Sequence, residues 1–374
     1  MSSPTILLSA GEASSDMYAA RLAIALRERT GAKFFGMGGP QMAEAEVELI
    51  ADYQEVAVVG ISEVWHKIPA VIGVQRRIAR EAKKRHPALA ILVDSPGTHL
   101  GVARRLKNMG IPVGYFIGPQ VWAWRPGRIR LIKRLVKRLV VIFPFEEKFY
   151  RDAGVPADFV GHPLVDIVRR TMTREEFAER HNLDASRPIV TILPGSRPSE
   201  INQHYPRLLE ACRRLSHVSG IQFVHAVAPG LNDGAFVHFE NSLVNLTRIE
   251  GATYDALAAA DCAVVASGTA TLEAALLGIP MVVVYRVTPA SALILRNMIR
   301  SPFIGMVNLI AGRAVAPELI QQQFTPEAVE SEVRRILESP DARAEAERGL
   351  AEVRAKLGGG GAIERAADIF ARML

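Results

Sequence analysis

The sequence predicts an α/β protein built on two parallel sheets. Two observations predict it. Short β-branched runs alternate with helical patterns along the whole chain. The second half also contains two strand–turn–helix units whose turns suit a phosphate. In one, the apolar run ending at Ala266 gives way to Ser267-Gly268-Thr269 and then to an Ala/Leu-rich helical pattern carrying Glu273. In the other, residues 189–193 lead into Pro194-Gly195-Ser196-Arg197, with Glu200 three residues on. Free N–H groups at a helix start favour an anion. Two such turns point to a nucleoside diphosphate, with Glu273 placed one helical turn further in for a ribose hydroxyl.

Strands are expected near residues 5–9, 33–37, 89–93, 112–116, 139–142 and 157–160 in the first half. In the second they fall near 189–193, 221–227, 245–249, 262–265 and 281–284. Helical patterns at 16–29 and 63–86 lie between the early strands. Residues 165–187 are charged and helical and read as a linker. The expected domains are therefore 1–166 and 187–357. After the glycine run 358–361, a last helix at 362–374 can pack back on the first domain. Two Rossmann-like domains facing each other would place a cleft at the carboxyl ends of both sheets.

With 374 residues and 49% apolar content, the chain is globular and large enough for two cores. Cys212 and Cys262 are too few for a disulfide framework and fit a reducing cytoplasm. The opening Met-Ser-Ser-Pro runs directly into a strand-like segment, which reads as no signal peptide. No apolar run approaches the ~20 residues of a membrane-spanning helix.

Charge is unevenly divided. Residues 1–187 hold 28 Lys and Arg against 20 Asp and Glu, a net of +8, while the remainder holds 17 against 19. The basic runs lack the interleaved aromatics of a single-strand binder, so nucleic acid is not expected. Solvated helix faces are one reading, and an anionic membrane surface is the other. The apolar and basic mixture of residues 56–78 suits an interfacial segment or a buried helix face equally.

The turns exclude some chemistry. No Gly-Lys-Ser/Thr follows either one, which disfavours a Walker-type ATPase. The turn Gly36-Met37-Gly38-Gly39-Pro40 comes closest to a dinucleotide fingerprint but runs into proline, so hydride transfer is a weak candidate. No His/Cys/Asp spacing suits a catalytic metal. In the second half Arg197 can pair bidentately with phosphate, beside Gly195, Ser196 and Glu200 and the Ser267, Gly268, Thr269 cradle.

The first half should hold the acceptor. Gly11-Glu12-Ala13-Ser14-Ser15 follows the first strand and opens a helix that Ser14 or Ser15 can cap. Asp94 ends the strand at 89–93 and is a candidate general base for a sugar hydroxyl; His99 is the second candidate. Gln120 and Trp122 lie in Gly118-Pro119-Gln120-Val121-Trp122-Ala123-Trp124-Arg125, which contains two of the three tryptophans. Such an aromatic pair can face a sugar or acyl chain, or pack in the core. Glu146, Glu147 and His162 read as scattered solvent or capping residues.

In order along the chain, these motifs resemble the lipid-A-disaccharide synthase family. The resemblance rests on Gly11-Glu12-Ala13-Ser14, the segment 118–125, Phe143-Pro144-Phe145-Glu146, Gly161-His162-Pro163-Leu164, Leu193 to Glu200, Ser267 to Glu273 and Asn308 to Arg313. It implies a GT-B fold and inverting glycosyl transfer with neither metal nor cofactor. The donor would be UDP-2,3-diacylglucosamine and the acceptor 2,3-diacylglucosamine 1-phosphate. It also implies peripheral attachment to the inner membrane of a Gram-negative cell, and leaves a homodimer open. By the same resemblance Arg197, Ser267, Thr269, Glu273 and Asn308 would bind UDP, while Glu12, Ser14 and Asp94 would face the acceptor. One departure stands out. The family usually reads Asp-x-Pro-Asp-Phe-Asn where this chain has Asp94-Ser95-Pro96-Gly97-Thr98-His99, so Gly97 replaces a favoured base. Alternatives are another UDP-sugar enzyme of this fold, such as a lipid-linked N-acetylglucosamine transferase or an epimerase, or a binding protein with weak catalysis.

Overall fold

The computed structural model describes residues 3–56, 64–122, 126–217, 220–228, 246–289 and 301–374, with Leu231, Phe236 and Ala292. It divides into two compact units, Met1–Pro163 with Leu357–Leu374, and Leu164–Lys356.

The first unit is a seven-stranded sheet in the order β3-β2-β1-β4-β5-β6-β7, with every pairing parallel. Its strands are β1 (Thr5–Ala10), β2 (Lys33–Gly38), β3 (Glu48–Asp52), β4 (Leu89–Val93), β5 (Val113–Phe116), β6 (Arg138–Val141) and β7 (Ala157–Phe159). Helices cover both faces, so central strands such as Leu-Ala-Ile-Leu-Val of β4 are apolar throughout and fully buried. β1 and β2 approach so closely that a Cβ at Gly36 would lie 1.7 Å from the Leu8 carbonyl oxygen.

The helix Ala362–Ala371 completes this unit. Arg29, in the helix Ala13–Thr30, pairs with Glu364 at 2.6 Å and Asp368 at 2.7 Å. The Phe370 ring fills the space above Gly114, where a Cβ would meet it at 2.6 Å. Arg365 donates to the Val160 carbonyl at 2.6 Å.

The second unit is a six-stranded parallel sheet in the order β10-β9-β8-β11-β12-β13. Its strands are β8 (Ile189–Leu193), β9 (Gln222–Val227), β10 (Leu246–Glu250), β11 (Cys262–Ala266), β12 (Met281–Tyr285) and β13 (Glu318–Ile320). The residues 165–187 read as a linker belong to this unit. Thr171 donates its N–H and hydroxyl to Asp255, and Arg174 pairs with Asp261 at 2.8 Å.

Two edge strands, β3 and β13, escaped the sequence reading. Glu-Leu-Ile-Ala-Asp is polar at both ends and Glu-Leu-Ile is three residues long, so neither gives a run distinct from a loop. Of the segment 56–78, residues 57–63 and the side chains of Val64, Trp65 and Lys67 lie outside the described residues. The helix Val64–Arg85 buries Val74 and Ile78 and leaves Ile68 39% exposed.

Candidate active site

In the first unit, three strand ends converge on a group of carboxyls. β1 and β4 pair in register up to Ala10 and Val93, which brings the residues just beyond them, Glu12 and Asp94, side by side. Glu12 is the N-cap of the helix Ala13–Thr30, in a reciprocal cap with Ser15. The Ser15 hydroxyl oxygen accepts the Gly11 and Glu12 N–H groups at 3.1 and 3.0 Å, and Ser14 donates to Glu12 Oε1 at 2.8 Å. Capping thus falls to Glu12 and Ser15, and Ser14 orients the carboxyl.

The Asp94 carboxyl lies beside that of Glu12, close enough for the Glu12 charge to act on it. Burial, and then the Glu12 charge, push the Asp94 carboxyl up to about 7. A carboxyl raised into this range can take up a proton when a substrate hydroxyl is deprotonated. Asp94 and Ser95 both adopt left-handed backbone, φ 50° and 47°. For non-glycine residues that costs roughly 1–3 kcal/mol each, a strain found where a side chain must be aimed.

His99 does not face the acceptor side. It is fully buried, with Nδ1 2.7 Å from the Asp94 carbonyl oxygen and Nε2 2.9 Å from Ser9 Oγ. Burial lowers its pKa to about 4. A ring with both nitrogens engaged and no solvent access has no room to take a substrate proton. The sequence placed it correctly beside Asp94 but could not tell which way the helix Pro96–Asn108 turns it.

Glu146, read from the sequence as a solvent or capping residue, does cap the helix Pro144–Asp152, but it is buried rather than facing solvent. Its Oε1 accepts the Trp122 indole N–H at 3.0 Å and its Oε2 accepts the Phe143 N–H at 3.3 Å. Burial raises this carboxyl to about 8, and the Asp94 charge adds to the effect. Phe145, 36% exposed, stacks on Phe143 and meets Trp122 edge-on with centroids 4.9 Å apart. The signal was present in Phe143-Pro144-Phe145-Glu146, where a carboxylate sits three residues after a helix cap. Buried His162 packs against Phe143, and burial lowers it to about 3. Gln120 is exposed, whereas Trp124 and Arg125 lie outside the described residues.

The second unit carries the two strand–turn–helix segments expected to hold an anion. β8 ends at Leu193, and two residues on Gly195 turns the chain with φ 126°. A Cβ there would lie 2.4 Å from Glu200 Oε2. Glu200 braces the turn by accepting the Ser196 N–H and Arg197 Nη1, each at 3.0 Å. Arg197, the N-cap of the helix Pro198–Leu215, remains 52% exposed. His204 anchors the turn from below: Nδ1 donates to the Pro194 carbonyl at 2.7 Å and Nε2 accepts the Arg286 N–H at 2.9 Å.

β11, which pairs with β8 in register, ends at Ser267-Gly268-Thr269. Ser267 spends its hydroxyl on the Ile304 carbonyl at 2.9 Å, so its contribution to the cradle is the backbone. Thr269 stands at the N-cap position of the helix Ala270–Leu277 without a side-chain cap bond, and is exposed. Glu273 lies one turn in, with Tyr254 donating to Oε1 at 3.4 Å, and burial raises it to about 7. Ile304 also lines a cavity of about 460 Å³ with Phe303, Asn308, Glu318 and Gln323.

Asn308 is not free to hold a nucleotide. Its Nδ2 donates to the Ala316 carbonyl and Glu318 Oε1, both at 2.8 Å. Its Oδ1 accepts the Val315 and Ala316 N–H groups at 2.7 and 2.9 Å. Every donor and acceptor is used within the fold, so Asn308 shapes a loop instead.

Two doubly wound parallel sheets, one with carboxyls at its strand ends and the other with two glycine-hinged turns at helix starts, are the two Rossmann-like halves of a GT-B fold. The same fold is seen in the calicheamicin glycosyltransferase CalG4, with TM-score 0.64 and 14% identity over 100% of this chain and 99% of that one. It is seen too in the UDP-GlcNAc 2-epimerase of Neisseria meningitidis, TM-score 0.66 and 12% identity over 98% and 100% of the two chains. The family model for lipid-A-disaccharide synthetase matches residues 6–369. The lipid-A-disaccharide synthase of Solibacter usitatus is 47% identical, covering 95% of this chain and 93% of that protein. The chain belongs to the lipid-A-disaccharide synthase family.

Proposed function

We propose that the two units divide the family's reaction, the second holding UDP-2,3-diacylglucosamine and the first holding 2,3-diacylglucosamine 1-phosphate. The acceptor's 6-hydroxyl oxygen attacks the donor's anomeric carbon from the side opposite the diphosphate. The new C–O bond forms as the bond to the diphosphate oxygen breaks and its electron pair leaves with UDP. Asp94, in its pair with Glu12, takes the hydroxyl proton. The product is the β-1,6-linked disaccharide 1-phosphate, with inversion.

The observation that carries this reading is the placement of Asp94 just past the end of β4, beside Glu12 past the end of β1, with the Asp94 carboxyl raised by burial to about 7. That is the range in which a carboxyl exchanges a proton with substrate near neutral pH. Charge on the departing UDP would be met by Arg197 and the helix starts behind Gly195 and Gly268, which leaves no step that needs a metal. Among the described residues, no three His, Cys, Asp or Glu side chains are grouped to hold one.

Peripheral attachment to the inner membrane belongs to the same reading. The helix Val64–Arg85 exposes Ile68 together with Arg76, Arg80, Lys83 and Lys84, a surface suited to anionic lipid. Among the described residues no helix is long and apolar enough to cross a membrane.

Incubating the chain with both acylated substrates in the presence of EDTA, and separating the products, tests the proposal. Disaccharide 1-phosphate and UDP in equal amounts are expected. UDP without disaccharide would assign another acceptor, and substrate binding without turnover would assign a binding role.

A further inference from the structure

Asp94 is held in an unfavourable backbone conformation by groups that the reaction does not otherwise use. Its carbonyl oxygen accepts two hydrogen bonds, from the Tyr115 hydroxyl at 2.5 Å and from His99 Nδ1 at 2.7 Å. A carbonyl oxygen only accepts, so Nδ1 carries the ring proton and Nε2 accepts from Ser9, 2.9 Å away. Ser9 lies on β1, Asp94 follows β4 and Tyr115 lies on β5. The contacts therefore tie together the ends of three neighbouring strands. Ser9, His99 and Tyr115 are all buried, so water does not compete for the carbonyl. The Asp94 N–H is also fixed, on the Phe116 carbonyl at 3.0 Å. With both backbone groups pinned and φ at 50°, the side chain leaves the strand end toward Glu12.

We propose that His99 is a positioning residue: with Tyr115 it clamps the Asp94 carbonyl and thereby aims the Asp94 carboxyl at Glu12. This rests on Asp94 being the base. Gly97 gives the role its importance. A Cβ at position 97 would meet nothing within 4 Å among the described residues, so the place of the family's usual carboxylate is open space.

The test uses the full chain with His99→Leu, His99→Asn, Tyr115→Phe and Asp94→Asn, each checked for folding by its thermal transition. Kinetics are measured for both substrates, with the pH profile of kcat/KM. His99→Leu is expected to lower kcat by roughly 10- to 100-fold, the cost of a reacting group misplaced by about 1 Å. Donor KM should change little. The acid limb should move to lower pH, because the carboxyl leaves the influence of Glu12, while Glu146, protonated below about 8, carries no charge there to hold it up. His99→Asn retains an N–H donor at the place of Nδ1 and should recover most of the lost kcat and the parental limb. If His99→Leu does not fold, Tyr115→Phe removes only a hydroxyl from the same carbonyl and should move the limb in the same direction. A folded His99→Leu with parental kcat and pH profile would overturn the proposal. So would a His99→Asn as inactive as His99→Leu, which would make the imidazole itself the base. Full turnover in Asp94→Asn, by contrast, would remove the assignment of the base on which the proposal stands.

Discussion

The indole of Trp122 is oriented by Glu146, whose Oε1 it reaches at 3.0 Å while the other carboxyl oxygen holds the Phe143 N–H. A buried carboxyl thus fixes one edge of an aromatic group that includes the exposed Phe145 ring.

Glu146 should make stability depend on pH. Its carboxyl, ordinarily near 4.5, is raised by burial to about 8, so the folded chain keeps a proton that the unfolded chain releases. The stability it contributes is complete below about 4.5 and is lost as pH rises through about 8. In Glu146→Gln no proton can be lost, and the unfolding midpoint should fall less between about pH 6 and about pH 9 than in the parent. Thermal unfolding across that window is the measurement, and equal slopes would contradict the buried placement.

Arg197 should matter to donor use far more than to folding. Its ion pair with Glu200 is half exposed, and such pairs contribute at most about 1 kcal/mol. A charge-assisted contact to the diphosphate is stronger, about 1.5–3 kcal/mol. Arg197→Ala should therefore lower kcat/KM for the UDP-sugar by roughly 10- to 100-fold with a nearly unchanged melting temperature. Unaltered donor kinetics in the folded variant would take Arg197 out of the site.

Glu273 is the group expected to make nucleotide affinity pH-dependent. Burial raises it to about 7, so it gains charge, and strength as a hydroxyl acceptor, as pH rises through that value. Calorimetric titration with UDP at about pH 6 and about pH 8 should give a larger gain for the parent than for Glu273→Gln. Identical gains would separate Glu273 from the ribose.

Asn308→Ala should unfold the loop beside the Glu318 carboxylate more readily. Two backbone N–H groups, one carbonyl and one carboxylate oxygen would lose the fully buried amide that partners them. The expected loss is roughly 2–4 kcal/mol, read from urea denaturation. A variant as stable as the parent would show that water replaces the amide.

Much of this was legible in the sequence because parallel strands buried on both faces read as unbroken apolar runs. β4, β8 and β11 are of that kind, and residues just beyond them, Asp94, Gly195 and Ser267, could be named as candidate positions. What was not legible depends on side-chain direction. Asn308 and His99 carry the right chemistry, yet each spends its polar atoms inside the fold. Glu146 carries a charge symbol and sits in the core. Such reversals follow from which wall of a helix or loop a residue occupies, which a linear pattern does not encode.

The helix Ala362–Ala371 bears on how the chain is made. The sheet of the first unit is encoded within its first 159 residues, but the ring that covers Gly114 belongs to Phe370. As the nascent polypeptide leaves the ribosome, the whole second unit emerges before that seal is available. Until then one wall of the earlier sheet stays wet, open to chaperones and proteases. Slowed elongation over the second unit would therefore harm the first.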